Sequence, residues 1–213
     1  MGATGRKVLM GDWSRVVRDP IDVLRLVFLG GCVWFAATGD VKGLVNLVVA
    51  AIGVLVARAV NLPRLYDLAF CVAMVFTGWG EALGLYDRIS WYDNVVHFGV
   101  PMLSAPVTYI ALARLEVLPD PRDDTGLHRS AGIFAVTFAL GMAIGAVWEM
   151  LEWSSDNTVG SSLQLSNDDT VGDLFADGLG SLVGAALLVC WTRFGWGSVR
   201  RIPGENRFED TNA

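Results

Sequence analysis

Three features are scarce in this chain, and each scarcity argues against a class of protein. Its three cysteines, Cys32, Cys71 and Cys190, lie in apolar runs without CxxC or CxxH spacing, which does not indicate a disulfide framework. Charged residues make up only 18% of the sequence, and the basic ones form no nucleic-acid patch. GxGxxG, Walker A, HExxH and GxSxG motifs are all missing, so the common nucleotide-binding and hydrolase signatures do not apply.

Long hydrophobic runs are what the chain has instead. It is 53% hydrophobic with a mean hydropathy of +0.46, too apolar for an ordinary soluble domain. Six runs approach the roughly 20 residues that a helix needs to cross a bilayer. They predict an all-α, polytopic membrane protein with six transmembrane helices at 21–38, 42–60, 67–86, 94–113, 130–152 and 170–193.

These runs predict one membrane domain with three parts. Residues 1–66 are expected to form an N-terminal tail and two scaffold helices, and residues 67–193 a four-helix core carrying a polar site. Residues 194–213 form a polar tail. Asp19-Pro20 is a typical helix start, with an Asp cap and Pro in the first turn.

The basic residues predict the orientation. If the runs alternate, 14 of the 16 Lys and Arg fall on one side, and only Lys42 and Arg88 fall on the other. The positive-inside rule then places both termini in the cytoplasm. Trp91 and Trp153 fall near the opposite surface, at the level where indoles prefer to lie.

Acidic residues concentrate at the predicted outer ends of the last two runs. Seven occur in 29 residues: Glu149, Glu152, Asp156, Asp168, Asp169, Asp173 and Asp177. A charge at mid-bilayer costs about 2.5–3.5 kcal/mol on insertion scales, so acids inside membrane runs are functional candidates.

Helical spacing sorts these acids into two stripes. Residues three, four and seven apart share a face, which joins Gly145 to the acids of the fifth run and Gly180 to those of the sixth. Gly141-xxx-Gly145 and Gly180-xxx-Gly184 are small-xxx-small patterns typical of close helix contacts. If both glycine pairs mark one contact surface, the acids face each other above it. Carboxylates held that close need a cation or shared protons.

Two earlier runs offer further candidates at the same depth. Asp93 and His97 lie one turn apart at the outer end of the fourth run, and Glu81 lies near the outer end of the third. Carboxylates with one imidazole suit a divalent metal such as Mg, Mn, Zn or Fe, or Ca. The predicted metal ligands are Glu81, Asp93, His97, Glu149, Glu152, Asp173 and Asp177, with His97 and Asp93 as catalytic candidates.

Simpler roles remain open for several of these residues. Asp93 and Asp169 could be helix N-caps, and Glu152 and Asp156 could be solvated acids near the membrane surface. His97 could be a buried histidine bonded to a backbone carbonyl. Glu149, Asp173 and Asp177 are harder to explain this way, because each lies one to two turns inside a run.

The chain resembles the YjdF-like group of small bacterial inner-membrane proteins over residues 67–190. The resemblance rests on Tyr92-Asp93-Asn94-Val95-Val96-His97-Phe98, on Trp148-Glu149 with Glu152, and on Asp169, Asp173 and Asp177 followed by Gly180 and Gly184. A weaker similarity is to VanZ-like proteins, which pair a D-x-x-x-H-F element with later acids. The resemblance implies a six-helix protein of the bacterial plasma (inner) membrane, without an assigned reaction.

The favoured hypothesis is a metal-dependent membrane enzyme whose site opens to the outer leaflet. Its partners would be membrane lipid and an amphiphilic substrate such as an isoprenoid-like molecule, with no nucleic acid. The alternatives are a cation- or proton-coupled transporter, in which the acids bind the ion, and a structural membrane subunit. The sequence does not indicate the substrate, the metal or the oligomeric state.

Overall fold

The computed structural model describes residues 20–60, 62–121, 127–159 and 166–194, and every regular element in these ranges is helical. Helices satisfy their own backbone polar groups, as a bilayer requires. The helices are α1 (Pro20–Thr38), α2 (Val41–Val60), α3 (Arg64–Met74), α4 (Gly80–Ala82), α5 (Leu85–Arg88), α6 (Tyr92–Arg114), α7 (Leu127–Val159) and α8 (Asn167–Phe194).

Five helices in the described part of the chain are long and apolar enough to cross a membrane: α1, α2, α6, α7 and α8. The predicted all-α membrane architecture is confirmed at this level. Several bounds differ from those predicted, because polar residues extend the helices beyond their apolar runs. The largest difference is in α7, which continues to Val159 and therefore carries Glu152 and Asp156 as helical residues.

The third predicted run, 67–86, is not one regular helix. α3 ends at Met74, a π-helical turn follows over Val75–Trp79, and α4 ends at Ala82. Gly84 follows with φ +65°, a left-handed conformation that glycine adopts without a Cβ penalty. Glu81 therefore lies on a short helical turn directly after the π-turn.

The turn between α1 and α2 forms as its sequence predicts. Gly39 has φ +77°, and the Asp40 carboxylate accepts a 3.0 Å hydrogen bond from the Gly43 N–H, which caps α2. The predicted cap at Asp19 and the predicted tail 194–213 lie outside the described residues, apart from the backbone of Phe194.

The chain divides into two compact units, and the division crosses the predicted four-helix core. Among the described residues, the first unit contains residues up to Leu83 and Ile110–Asp120, and the second contains Gly84–Tyr109 with α7 and α8. The segment 67–83 packs with α1 and α2. Its apolar side chains, including Cys71, Met74 and Trp79, extend the core around Phe28 and Leu47.

The first unit also buries four charged side chains at one end of α1. Arg25 donates to Asp22 at 2.9 Å, to Asp67 of α3 and to the backbone oxygen of Val54 at 3.1 Å. Arg58 of α2 donates to Asp22 at 2.9 Å. We call Asp22, Arg25, Arg58 and Asp67 the Arg–Asp quartet. Two positive and two negative charges meet there, so the quartet is neutral.

Candidate metal centre

Glycines in α8 bring the helix that carries His97 into backbone contact. A Cβ atom at Gly180 would clash with the backbone carbonyl of Phe98, and one at Gly184 would lie 2.5 Å from the oxygen of Met102. Pro106 has no N–H, so Met102 loses its helical hydrogen bond, and Gly184 packs against that carbonyl. The small residues of α8 therefore fix how closely α6 approaches.

The glycines of α7 pack against a different helix. A Cβ atom at Gly141 would clash with Ser181, and one at Gly145 would overlap the carboxylate of Asp177. The two glycine pairs do not mark one contact surface, since the α7 pair faces α8 whereas the α8 pair faces α6. The consequence is a three-helix contact, with Asp177 held between α6 and α7.

His97 is the centre of this contact. Its side chain is only 3% exposed, and Nδ1 lies 3.3 Å from Oδ1 of Asp177, whose side chain is 1% exposed. If Asp177 is ionised it can only accept, so Nδ1–H donates to it, and this contact fixes the orientation of the ring. The alternative role for His97, bonding to a backbone carbonyl, is not what the structure shows.

The other ring nitrogen of His97 faces carboxylates. Nε2 lies 3.5 Å from Asp93 on its own helix and 3.7 Å from Glu149 on α7. It is buried and makes no hydrogen bond with any residue that the structure describes. A neutral imidazole with Nδ1–H donating keeps its lone pair on Nε2, directed at the acids.

Two groups of possible metal ligands converge on His97. One consists of Asp93, His97 and Asp173, the other of His97, Glu149 and Glu152, and within each group the ligand atoms lie within 4.8 Å of one another. Glu152 is itself held in place, because Trp148 Nε1 donates to its Oε1 at 2.7 Å. The acid–histidine cluster comprises Asp93, His97, Glu149, Glu152, Asp173 and Asp177.

The members of the cluster differ in burial. Glu149, Asp173 and Asp177 are buried, whereas Asp93 and Glu152 are partly exposed. The proposed capping role of Asp169 is wrong, since Ser166 caps α8 by accepting from the Asp169 N–H at 3.1 Å. Asp93 likewise lies inside the first turn of α6, which begins at Tyr92, and not at its cap.

Glu81 lies in the first unit and has a partner there. Its carboxylate lies 2.8 Å from Nζ of Lys42, whose side chain is 65% exposed. Neither group of possible ligands includes Glu81. The structure thus brings together six of the seven predicted site residues, and the ligand role of Glu81 stays a prediction.

Sequence reasoning missed the Arg–Asp quartet. Arg25 and Arg58 were counted only as cytoplasmic anchors, yet their side chains are 4% and 5% exposed. The signal was present, because Asp22 and Arg25 are three residues apart near the start of an apolar run, a spacing that predicts an ion pair.

The chemistry of the acid–histidine cluster fits a divalent cation. Metal-binding histidines usually donate their second N–H to a carboxylate, as His97 does to Asp177. Asp177, predicted to be a direct ligand, contacts His97 and belongs to neither group of possible ligands, so its ligand role stays a prediction. Asp93, His97, Glu149, Glu152 and Asp173 are the side chains that could hold the ion itself.

The chain belongs to the family described as "Predicted membrane protein (DUF2238)", whose model matches residues 23–194. The match includes both compact units and every member of the acid–histidine cluster. No match was found among the curated proteins or among the solved structures.

Proposed function

We propose that this family member is a metal-dependent membrane enzyme whose acid–histidine cluster binds a divalent cation and acts on a lipid or isoprenoid-like amphiphile. Asp93, His97, Glu149, Glu152 and Asp173 hold the ion, and Asp177 orients His97. Asp93 is also placed to exchange a proton with a substrate, and His97 would do so only where its Nε2 does not bind the ion. Within the family, the YjdF-like proteins are the group that the motifs favour.

The observation that carries this proposal is the environment of His97. Asp177 engages Nδ1 at 3.3 Å, and the buried Nε2 faces two carboxylates without making a hydrogen bond to the described residues. A buried polar atom without a partner is costly, unless something outside the chain supplies the bond. A cation bound by Nε2 and the surrounding carboxylates does so, and it also offsets their mutual repulsion.

Six membrane crossings follow if the irregular third segment also spans. α3, the π-turn and α4 are continuous over 19 residues, since they have 11, 5 and 3 residues. At 1.5 Å per residue this segment is about 28 Å long, close to the roughly 30 Å of a hydrocarbon core. With six crossings the basic residues place both termini in the cytoplasm of a bacterial cell.

The cluster then lies at the outer-leaflet side of the plasma membrane. Trp91, directly before α6, is 59% exposed, and Trp153, beside Glu152, is 58% exposed. Exposed indoles at one level are typical of a membrane–water interface. Val171 and Phe175 of α8 are 57% and 69% exposed on the face away from Asp173, where the acyl chains of an amphiphile would lie.

An enzyme fits the second unit better than a transporter. All buried acidic, basic and histidine residues described in that unit belong to the acid–histidine cluster. Its other buried polar groups are hydroxyls, those of Tyr92, Ser104, Tyr109, Ser130, Thr137 and Ser181. A coupled transporter needs a polar path to the inner side, whereas a bound metal at a dead-end site can polarise a substrate or activate water.

Metal content tests the cation. We expect full-length protein purified in detergent without chelator to retain a divalent metal in elemental analysis, and Glu149→Gln and Asp173→Asn to lose most of it. Asp87→Asn is the matched control, because it makes the same change at an exposed acid of the same unit. Equal, near-zero metal in the wild type and in all three variants would contradict the proposed metal cofactor.

Lipid analysis tests the reaction. Protein reconstituted in vesicles of bacterial lipid extract should change the lipid mass spectrum, and Asp173→Asn should leave that spectrum unchanged. Uptake of the metal into the vesicles without a lipid product would favour the transporter. Retention of metal with neither product nor uptake would leave a structural role.

A further inference from the structure

The acid–histidine cluster contains two carboxylate pairs and one histidine. Asp93 and Asp173 form the first ligand group with His97, and Glu149 and Glu152 form the second, with His97 again. The two groups share no carboxylate. Each pair can therefore bind an ion without taking an oxygen ligand from the other.

The histidine can serve only one of these ions. Nδ1 is engaged by Asp177, which leaves Nε2 with a single lone pair in the ring plane. Nε2 lies between the two groups, 3.5 Å from Asp93 and 3.7 Å from Glu149. One pair must then bind an ion through oxygen alone, as Mg²⁺, Mn²⁺ and Ca²⁺ sites commonly do.

The charge of the cluster also exceeds what one divalent ion can balance. Five carboxylates surround one histidine, and Asp93, Glu152, Asp173 and Asp177 form no ion pair with a lysine or arginine of the described residues. When these four are ionised, one divalent ion leaves two negative charges and two ions leave none. Uncompensated charge is costly at sites as buried as Asp173 and Asp177, which are 4% and 1% exposed.

Extending the proposed function, on which it rests, we infer that the site is dinuclear. Asp93, His97 and Asp173 bind one divalent cation, and Glu149 and Glu152 bind the second. Two-metal sites commonly hold their ions about 3.5–4 Å apart and clamp an oxyanion between them. The amphiphile would then present a phosphate or carboxylate headgroup to both ions.

Mn²⁺ alone is the probe that counts the ions. The full-length protein is stripped with chelator in detergent, freed of it, and dialysed against Mn²⁺. We expect two Mn²⁺ per chain and an exchange-coupled electron paramagnetic resonance spectrum. Glu152→Gln should bind one Mn²⁺ per chain and show an uncoupled signal.

Trp148→Phe provides a second variant that keeps every ligand. It removes the 2.7 Å hydrogen bond to Glu152, so the second Mn²⁺ should bind about 10-fold more weakly while the first is unchanged. Asp87→Asn should behave as wild type. One Mn²⁺ per chain in the wild type would overturn the dinuclear site and leave the proposed function intact, whereas none would remove both.

Discussion

The two compact units bury charge in opposite ways. In the first unit the Arg–Asp quartet sets two arginines against two aspartates, and Asp22 alone accepts from both Arg25 and Arg58 at 2.9 Å. In the second unit five carboxylates surround one histidine. The first arrangement balances two positive against two negative charges, whereas the second sets more carboxylates together than its one histidine can balance. Buried charge is therefore structural in one unit and points to binding in the other.

Breaking the quartet should give the largest loss of stability. Arg25→Ala removes the positive charge from between the buried carboxylates of Asp22 and Asp67. Breaking a buried pair typically costs about 3–5 kcal/mol, so we expect a clearly lower unfolding temperature than that of the wild type in detergent, with the same decrease in chelator and in Mn²⁺.

The exposed pair of the same unit is the control. Lys42→Ala removes a partner whose side chain is 65% exposed, which should cost no more than about 1 kcal/mol. If Arg25→Ala unfolds at the temperature of Lys42→Ala, the quartet does not stabilise the fold.

Neutralising an acid of the second unit should change the stability in the opposite direction. In chelator, Asp173→Asn removes repulsion among buried carboxylates, so the variant should unfold at the wild-type temperature or above it. With Mn²⁺ at a hundred times its Kd, the wild type should gain about 2.7 kcal/mol and the variant much less.

Thermal unfolding of the wild type and of Asp173→Asn, each in chelator and with Mn²⁺, measures this reversal. A variant that is destabilised in chelator as strongly as Arg25→Ala would show that Asp173 is structural, and the contrast between the units would fail.

Gly145→Ala should have the smallest effect, a change in Mn²⁺ affinity. The added Cβ would overlap the Asp177 carboxylate, which must then move relative to His97. Residues that orient a metal-binding histidine typically change metal affinity about 10- to 100-fold, so Mn²⁺ should bind more weakly by that factor. Gly132→Ala on the same helix is the control, because no atom lies within 4 Å of its added Cβ. Equal Mn²⁺ affinity in the two variants would contradict a positioning role for Asp177.

Helical spacing predicted which acids of the second unit share a helix face. Along a helix, residues three and four apart share a face, so Asp93 with His97 and Asp173 with Asp177 could be placed together from spacing alone. The glycine patterns correctly indicated close helix contacts, but spacing could not say which neighbour each glycine faces. Gly180 faces α6, whereas Gly145 faces Asp177 of α8.

Glu81 and Arg25 show where spacing stops being informative. Both lie in apolar runs, and their sequence environments do not say which helix packs beside them. The fold pairs Glu81 with Lys42 and surrounds Arg25 with Asp22 and Asp67. Contacts between residues 42 positions apart, as in the Arg25–Asp67 pair, depend on helix packing that no local pattern encodes.

The sequence by itself determined that this is a helical membrane protein with acids at the ends of apolar helices, because helix length, hydrophobicity and facing are local properties. Only the tertiary structure decided which charges are balanced. It directed Nδ1 of His97 to Asp177 and Nε2 toward Asp93 and Glu149, and it enclosed Arg25 between carboxylates. Electrostatic balance depends on distances between helices, and packing alone sets those distances.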